Sequence, residues 1–168
     1  MTDIDVKETL ERNAFYEISE ILIRNMQLRD LDQVCKLERS IFAHPWSRKS
    51  ITYEILDNPF SYALMAEMEN KLIGCAIGWC IDTEAHIGTF AVDVNFRRKG
   101  IGGLLLGSLI TDFKHKRVRR VYLEVRRSNI AAQSLYLKYG FKFCGERKNY
   151  YSKENEDALL MSLSLKEG

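Results

Sequence analysis

Residues 97–103 read Arg-Arg-Lys-Gly-Ile-Gly-Gly and stand between two apolar segments. The preceding segment, 88–94, is typical of a strand, and the following segment, 104–113, is typical of a buried helix. Glycines let backbone amides approach a ligand closely, and a helix N-terminus presents free N–H groups with a partial positive charge. With three basic side chains just ahead of the glycines, this strand–turn–helix unit predicts a pyrophosphate site at the centre of the fold.

The glycine spacing excludes two common nucleotide-binding patterns. The dinucleotide fingerprint G-x-G-x-x-G fails because Leu105 stands where its last glycine would be, and the phosphate-loop pattern G-x-x-x-x-G-K-[ST] is absent. The form R-x-x-G-x-G remains. Taken alone, these glycines fit an ordinary left-handed turn in a basic, solvated loop equally well, so the choice depends on residues further along the chain.

Composition bounds the possible functions. The chain has 168 residues, two prolines and a net charge of +2, which suits one domain and gives no support to a nucleic-acid or anionic-membrane partner. The basic group at 114–120 is interpreted as a solvated helix end. Four cysteines without C-x-x-C spacing and three scattered histidines predict no metal site. The polar N-terminus and the lack of a membrane-length apolar run predict a cytoplasmic protein.

Periodicity divides the chain into an appended segment, 1–20, and a single domain, 21–168. The appended segment is expected to be an amphipathic helix. Within the domain the predicted strands are 21–26, 61–68, 71–81, 85–94, 118–125, 141–147 and 157–165, and the predicted helices are 30–40, 48–56, 100–116 and 129–139. This order predicts an α+β fold with a mixed sheet flanked by helices, in which 85–125 forms a central right-handed β-α-β unit.

Three polar residues at the end of this unit and just after it stand out, and two of them have two interpretations. Glu124 interrupts an apolar strand and faces either the surface, as alternation favours, or a cleft. Asn129 is a suitable N-cap for the helix that follows. Tyr136 lies two turns into that helix, where it is either a core residue or a group directed at the sheet edge.

Taken together, the motifs resemble one family. Residues 123–141 match L-E-V-R-x-S-N-x-x-A-x-x-L-Y-x-x-x-G-F, and with R-x-x-G-x-G they identify a resemblance to the GNAT acyltransferases over about residues 21–165. The match is greatest to the branch that acetylates protein N-termini, in particular the type that modifies the N-terminal alanine of a small-subunit ribosomal protein. The resemblance implies the GNAT fold, a mostly antiparallel mixed sheet, with acetyl-CoA as the donor and a protein N-terminus as the acceptor.

The resemblance also implies roles for individual residues. Glu124 matches the general base and Tyr136 the general acid, the latter beside the cofactor's sulfur. The residues that would bind the cofactor are Phe90, Ala91, Val92, Arg97, Arg98, Lys99, Gly100, Ile101, Gly102, Gly103 and Asn129. Those near the acceptor are Pro45, Trp46, Tyr150 and Tyr151.

The implied chemistry is direct attack of an amine on a thioester, which needs a proton acceptor, a proton donor for the thiolate and N–H groups for the oxyanion, and needs neither metal nor a cysteine intermediate. We expect backbone N–H groups of the strand at 90–94 to stabilise the oxyanion, with a bulge in that strand positioning them. Two positions depart from the family, Arg97 where many relatives have glutamine and Gly103 where the related type often has arginine. The sequence leaves open a lysine or small-amine acceptor, a non-catalytic acyl-CoA-binding module, and a monomer or dimer.

Overall fold

Strands and helices follow one another along residues 20–165, the part of the chain that this computed structural model describes. The strands are β1 (Leu22–Asn25), β2 (Ser61–Met68), β3 (Lys71–Ile81), β4 (Glu84–Val92), β5 (Arg120–Arg126), β6 (Lys142–Tyr151) and β7 (Glu156–Ser164). The α-helices are α1 (Leu31–Ile41), α2 (Arg48–Leu56), α3 (Ile101–His115) and α4 (Ile130–Lys138), and short 3-10 turns precede α1 and follow β4.

The strands form one sheet of seven in the order β1-β2-β3-β4-β5-β7-β6. Only β4 and β5 pair in parallel, and every other neighbouring pair is antiparallel. The parallel pair is joined through α3, as the predicted β-α-β unit requires. The predicted α+β class, with a mostly antiparallel sheet and flanking helices, is therefore confirmed.

The central pair of strands is joined over only part of its length. The parallel ladder runs from Glu84 opposite Arg120 to Ile87 opposite Leu123, yet β4 continues to Val92 and β5 to Arg126. Beyond Ile87 the two strands separate, and one edge of β4 is left without a neighbouring strand in the middle of the sheet. This gap opens at the carboxyl ends of both strands, where ligands bind in such sheets.

A β-bulge lies where the strands part. On the β3 side, Ile77 pairs with Thr89 and Gly78 pairs with Ile87, so Gly88 is the extra residue of β4. A bulge bends the strand that carries it, which accounts for the departure of β4 from β5 at this point. The bulge that the sequence led us to expect is present, but it lies just before residues 90–94 rather than within them.

Two hydrophobic clusters cover the two faces of the sheet. On one face the apolar side of α3, including Leu105, Leu109 and Phe113, packs with inward residues of β3 to β5. On the other face α1 and α2 contribute Val34 and Ile51, which pack with Cys75 and Ile77 among others. Burial on both faces makes the central strands rigid, and they hold the gap open at a fixed width.

Most sequence-based boundaries are within two residues of those observed. Ser47 caps α2 by accepting a hydrogen bond from the Ser50 amide at 3.0 Å, and Asn129 caps α4 by accepting one from Ala132 at 3.1 Å. The larger difference is β6, which continues to Tyr151 rather than ending at residue 147. The predicted helix at 1–20 falls almost wholly outside the described residues. No helix within residues 20–165 is long and apolar enough to cross a membrane.

Candidate active site

The glycine turn forms the N-terminus of α3. Gly100 is the N-cap with φ +83°, and a Cβ built there would have no neighbour within 4 Å, so this side of the turn is open. The first helical bond runs from the Leu104 amide to the Gly100 carbonyl at 3.1 Å. The amides of Ile101, Gly102 and Gly103 therefore lack a carbonyl acceptor within the helix, as the first turn of any helix does. The sequence prediction of an anion cradle here agrees with this geometry.

Two of the three basic side chains before the turn, those of Arg97 and Lys99, contact other groups of the protein. Arg97 folds back and donates from Nε to the Val92 carbonyl at 3.1 Å. Lys99 Nζ lies 5.6 Å from the centre of the Phe96 ring. Arg98 adopts a left-handed conformation with φ +64°, which turns the chain from the 3-10 segment into the helix. The three residues thus shape the turn and add positive charge around it.

Gly103 faces a tyrosine from α4. The Tyr139 hydroxyl donates to the Gly103 carbonyl at 2.7 Å, and a Cβ at Gly103 would lie 3.0 Å from that hydroxyl oxygen. A side chain at this position would require the Tyr139 hydroxyl to move by a few tenths of an ångström. Glycine at residue 103 thus suits the contact between α3 and the end of α4.

The free edge of β4 presents backbone groups to the gap. The Asp93 amide donates to the Ile73 carbonyl at 2.9 Å, so the amides of Ala91 and Thr89, two and four residues earlier, also face β3. By alternation the backbone N–H and C=O groups of Phe90 and Val92 face the gap. This edge can pair with an extended, amide-bearing ligand in the manner of an added strand.

Glu124 lies on β5 at the other side of the gap. Its side chain is 14% exposed, and Oε2 is 2.7 Å from His86 Nε2 while Oε1 is 3.5 Å from an Arg147 nitrogen. The hydrogen bond to His86 is the main reason that the pKa of Glu124 falls below its ordinary value, against the opposing effect of burial. An ionised carboxylate only accepts hydrogen bonds, so His86 Nε2 carries the proton. Of the two sequence interpretations, the cleft-facing one is correct.

An aromatic stack continues from this pair toward the surface. The His86 ring lies parallel to Trp79, with centroids 5.3 Å apart, and Trp79 contacts Trp46 at 6.4 Å. A Cβ at Gly88 would come within 2.5 Å of Trp79 and 2.9 Å of Trp46, so only glycine leaves room for both indoles over the bulge. Trp46 and its neighbour Pro45 also line a shallow groove that runs along the start of α2.

Tyr136 is a core residue that packs against the strand whose edge faces the gap. Its ring is 5% exposed and lies edge-on to Phe90 of β4, with centroids 5.9 Å apart. The ring is tilted against Phe141, with centroids 5.7 Å apart. Burial raises the pKa of Tyr136, which keeps the hydroxyl protonated.

The end of β6 connects these groups. Tyr151 is half-buried beneath the Arg126 guanidinium, which lies 3.8 Å from the ring centre, and Tyr150 packs edge-on against it at 5.1 Å. Burial raises the pKa of Tyr151, and the nearby charge of Glu124 contributes in the same direction. Tyr151 in turn contributes to the raised pKa of Tyr136. The predicted catalytic pair and the two predicted acceptor-side tyrosines thus lie near one another.

Sequence reasoning missed several residues of this site. His86 was grouped with scattered histidines, although it lies 38 residues before Glu124 and directly beside it. Arg147 and the bulge residue Gly88 were also not singled out. A short motif cannot reveal contacts between separate strands. His86 lies opposite Tyr122 in the β4–β5 register. The predicted β-α-β unit pairs these two strands but does not determine their register. No cluster of metal-ligating side chains occurs among the described residues.

Comparisons with known proteins agree with this geometry. The Acetyltransferase (GNAT) family matches residues 31–141. A candidate ribosomal protein bS18-alanine N-acetyltransferase of Bacillus subtilis is 39% identical over 145 residues, which cover 86% of this chain and 96% of that protein. The crystal structure of the Escherichia coli ribosomal-protein-S18-alanine N-acetyltransferase has a TM-score of 0.79 at 32% identity, covering 86% of this chain and 93% of that one. Ard1 from Thermoplasma volcanium gives a TM-score of 0.81 at 27% identity, covering 88% and 99%. The fold, the glycine turn and these relatives together place the chain in the GNAT family of acetyltransferases.

Proposed function

We propose that this enzyme transfers the acetyl group of acetyl-CoA to the α-amine of a protein N-terminus by direct attack within a ternary complex. The observation that carries the proposal is the gap between β4 and β5, with Glu124 on β5 at one side and the Tyr136 ring packed against Phe90 of β4 at the other. The names of the Bacillus and Escherichia relatives support a ribosomal protein with an N-terminal alanine as the acceptor.

The donor fits the open edge of β4 and the glycine turn. Backbone groups of Phe90 and Val92 would pair with the amides of the pantetheine arm, and the free amides of residues 101–103 would hold the pyrophosphate. The thioester of the bound donor supplies the acetyl group. Asn129, whose side-chain oxygen is used as the cap of α4, has its amide nitrogen left for the arm.

The charge state of Glu124 favours an α-amine as the acceptor. A proton moving from an α-ammonium (pKa about 7.7) to a carboxyl with a pKa below 4.5 goes uphill by at least about 4 kcal/mol. From a lysine ammonium (pKa about 10.4) the same step costs about 8 kcal/mol. An α-amine is also partly neutral at physiological pH, so a weak base that receives the proton as the C–N bond forms is sufficient.

Tyr136 and His86 complete the proposed machinery. The raised pKa of Tyr136 keeps a proton available for the departing thiolate sulfur. His86 orients the Glu124 carboxylate through the 2.7 Å hydrogen bond, and Trp79 holds the imidazole ring in place by stacking. The amine nitrogen bonds to the acetyl carbonyl carbon, the bond from that carbon to sulfur breaks, and the thiolate leaves with a proton. No group of the protein is acylated.

The proposal is tested by incubating the purified protein with acetyl-CoA and short peptides and measuring release of free CoA. The peptides differ in their first residue (Ala, Ser, Thr, Met or Glu), and one control has a blocked N-terminus and a free lysine. Mass spectrometry locates the acetyl group. We expect transfer to the α-amine, with small first residues preferred.

Other outcomes would overturn the proposal in distinct ways. Acetylation of the blocked, lysine-containing peptide alone would make the enzyme a side-chain transferase. Tight acetyl-CoA binding measured by calorimetry, without transfer to any peptide or small amine, would make it a regulatory acyl-CoA-binding module.

A further inference from the structure

A carboxyl group without a role in the proposed reaction lies buried behind the acceptor side of the site. Glu38, in the last turns of α1, is 0% exposed. The Thr89 hydroxyl donates to its Oε1 at 2.5 Å, and the Trp46 backbone amide donates to its Oε2 at 3.2 Å. Each oxygen thus has one donor, and the two donors belong to different parts of the chain.

The two donors stand at the points that define the acceptor pocket. Thr89 follows the bulge residue Gly88, so it marks the point at which β4 leaves β5. Trp46 lies in the loop between α1 and α2, and its ring forms the outer end of the stack that leads through Trp79 to His86. Glu38 is the bridge between the bulge and this loop.

Energetics argue that the bridge is present for position rather than for stability. Moving a carboxyl group out of water is costly, and an apolar side chain of similar length in this pocket often stabilises a fold as well or better. Val34, one turn earlier on the same helix, belongs to an apolar cluster with Ile51 and Cys75, and burial, with a contribution from the charge of Glu38, raises the pKa of Cys75. Glu38 is costly to bury and joins the Trp46 loop to the bulge in β4, so we attribute its presence to the geometry that it imposes on these two segments.

We propose that Glu38 is a positioning residue for the acceptor: by holding the Trp46 amide and the Thr89 hydroxyl together, it sets the distance between the indole wall and the bulged strand, and with it the size of the first side chain that the enzyme accepts. This inference rests on the proposed N-terminal transferase function. It assigns Glu38 no contact with either substrate. Loss of the bridge acts through Trp46 and widens the acceptor pocket, while the edge of β4 keeps its ladder to β3.

The test compares Glu38→Met, which removes both acceptors at similar length, with Glu38→Gln, which can still accept from Trp46 and donate to Thr89. We expect Glu38→Met to raise the acceptor KM roughly tenfold and to reduce the preference for alanine over methionine at the first position, with kcat changed much less. Acetyl-CoA affinity should stay within about twofold of the parent enzyme, because the donor edge is untouched. Glu38→Gln should have an acceptor KM close to that of the parent enzyme. Thr89→Val, which lacks the hydroxyl, should raise the acceptor KM by part of the amount seen in Glu38→Met, whereas Thr89→Ser, which keeps the hydroxyl, should not.

A control separates position from stability. Val34→Ala removes packing from the same helix at a residue that is also 0% exposed and makes no polar contact in the bridge. It should lower the free energy of unfolding while leaving the acceptor KM unchanged. An acceptor KM that rises as much in Val34→Ala as in Glu38→Met would overturn the inference, and so would an unchanged KM and residue preference in both Glu38→Met and Thr89→Val.

A second readout does not require turnover. The chain has two tryptophans, so a Trp79→Phe background leaves Trp46 as its one indole. In that background Glu38→Met should increase acrylamide quenching of Trp46, and Glu38→Gln and Val34→Ala should not. Unchanged quenching in Glu38→Met would contradict the bridge even if the peptide assay failed, whereas increased quenching without transfer to any peptide would count against the proposed function alone.

Discussion

At the scale of single residues, Glu124 shows how position in the fold alters the chemistry of an ordinary side chain. Simple alternation along β5 would direct the Glu124 side chain to the surface. Because β4 and β5 separate at this point, the side chain faces the gap between them instead. There the His86 imidazole and the more distant Arg147 guanidinium favour the ionised carboxylate. In the proposed reaction, Glu124 would act through its orientation and charge more than through its basicity.

Replacing Glu124 with glutamine tests this view. Glu124→Gln keeps the size of the side chain and removes the proton acceptor, so kcat/KM should fall roughly a hundredfold. Circular dichroism and acetyl-CoA affinity should match the parent enzyme. Because the pKa of Glu124 is lowered, its protonation is shifted to more acidic pH, and the parent's rate should show no carboxylate titration above about pH 5. If the parent's pH–rate profile showed a titration step above about pH 5 and Glu124→Gln lacked that step, the assignment would be contradicted.

Tyr136 has a structural and a chemical role that can be separated. Tyr136→Phe keeps the ring between Phe90 and Phe141 and removes only the hydroxyl. We expect kcat to fall about tenfold to a hundredfold while the free energy of unfolding changes by less than about 1 kcal/mol. The measurements are steady-state kinetics and urea denaturation. Equal kcat in both proteins would remove Tyr136 as the proton donor to sulfur.

The residues that sequence reasoning found and missed differ in a physical way. Glu124, Asn129 and Tyr136 lie in one continuous segment, so their spacing along a strand and a helix could be seen in the chain. His86 and Glu38 act through partners 38 and 51 residues away, and such contacts depend on register and on helix packing. Glu38 was, in sequence terms, one polar residue in an amphipathic helix.

At the scale of elements, the bulge in β4 determines the shape of the site. It adds one residue at Gly88, separates the strands and provides the surface on which Trp46 and Trp79 lie. Strand positions were predictable from apolar runs, and a bulge was expected in this strand, but its position at Gly88 was not, because Gly88 resembles any other glycine within a strand. The extension of β6 to Tyr151 was missed for a similar reason, since its residues are mostly exposed and lack an apolar pattern.

Gly88→Ala should therefore disturb the acceptor side. The added methyl group would meet the Trp79 ring at 2.5 Å and displace both indoles. We expect a loss of about 1–3 kcal/mol in the free energy of unfolding, together with a higher acceptor KM and an unchanged donor KM. Gly107→Ala is the matched control, because its Cβ would make ordinary 3.7 Å contacts with the Tyr139 ring and hydroxyl. A donor KM that rises with the acceptor KM would show that the bulge shapes both sites.

At the scale of the whole molecule, the first strand is attached by a partly buried ion-pair cluster. Arg24 of β1 bonds Asp30, just before α1, at 2.7 Å and Glu67 of β2 at 2.5 Å. Asp30 is 3% exposed, and the hydrogen bond from Arg24 lowers its pKa below the ordinary value. The cluster thus fixes α1, and with it the loop that carries Trp46, to the edge of the sheet.

Arg24→Met should destabilise the fold by about 3 kcal/mol at neutral pH, since it leaves buried carboxylates without their partner. An Asp with a lowered folded-state pKa adds stability above its unfolded-state pKa, and that stability is lost as the pH falls through the folded-state value. The difference between parent and variant should therefore shrink below about pH 4 in urea denaturation series. Arg48→Met, which breaks an exposed pair with Asp32, should change stability by less than about 0.5 kcal/mol. An Arg24→Met loss that is equal at neutral and acidic pH would contradict the role of Asp30.

Because β4 separates from β5, one edge of β4 has backbone groups without a partner strand, as an edge strand does, although β4 lies in the middle of the sheet. Amide hydrogens of central strands ordinarily exchange with deuterium only when the surrounding structure opens. Those of Phe90 and Val92 face water instead, while that of Ala91 between them is held by β3. The exchange pattern should therefore alternate fast, slow, fast along three consecutive residues of the most deeply packed region. A bound donor should slow the outer two and leave the middle one as it was.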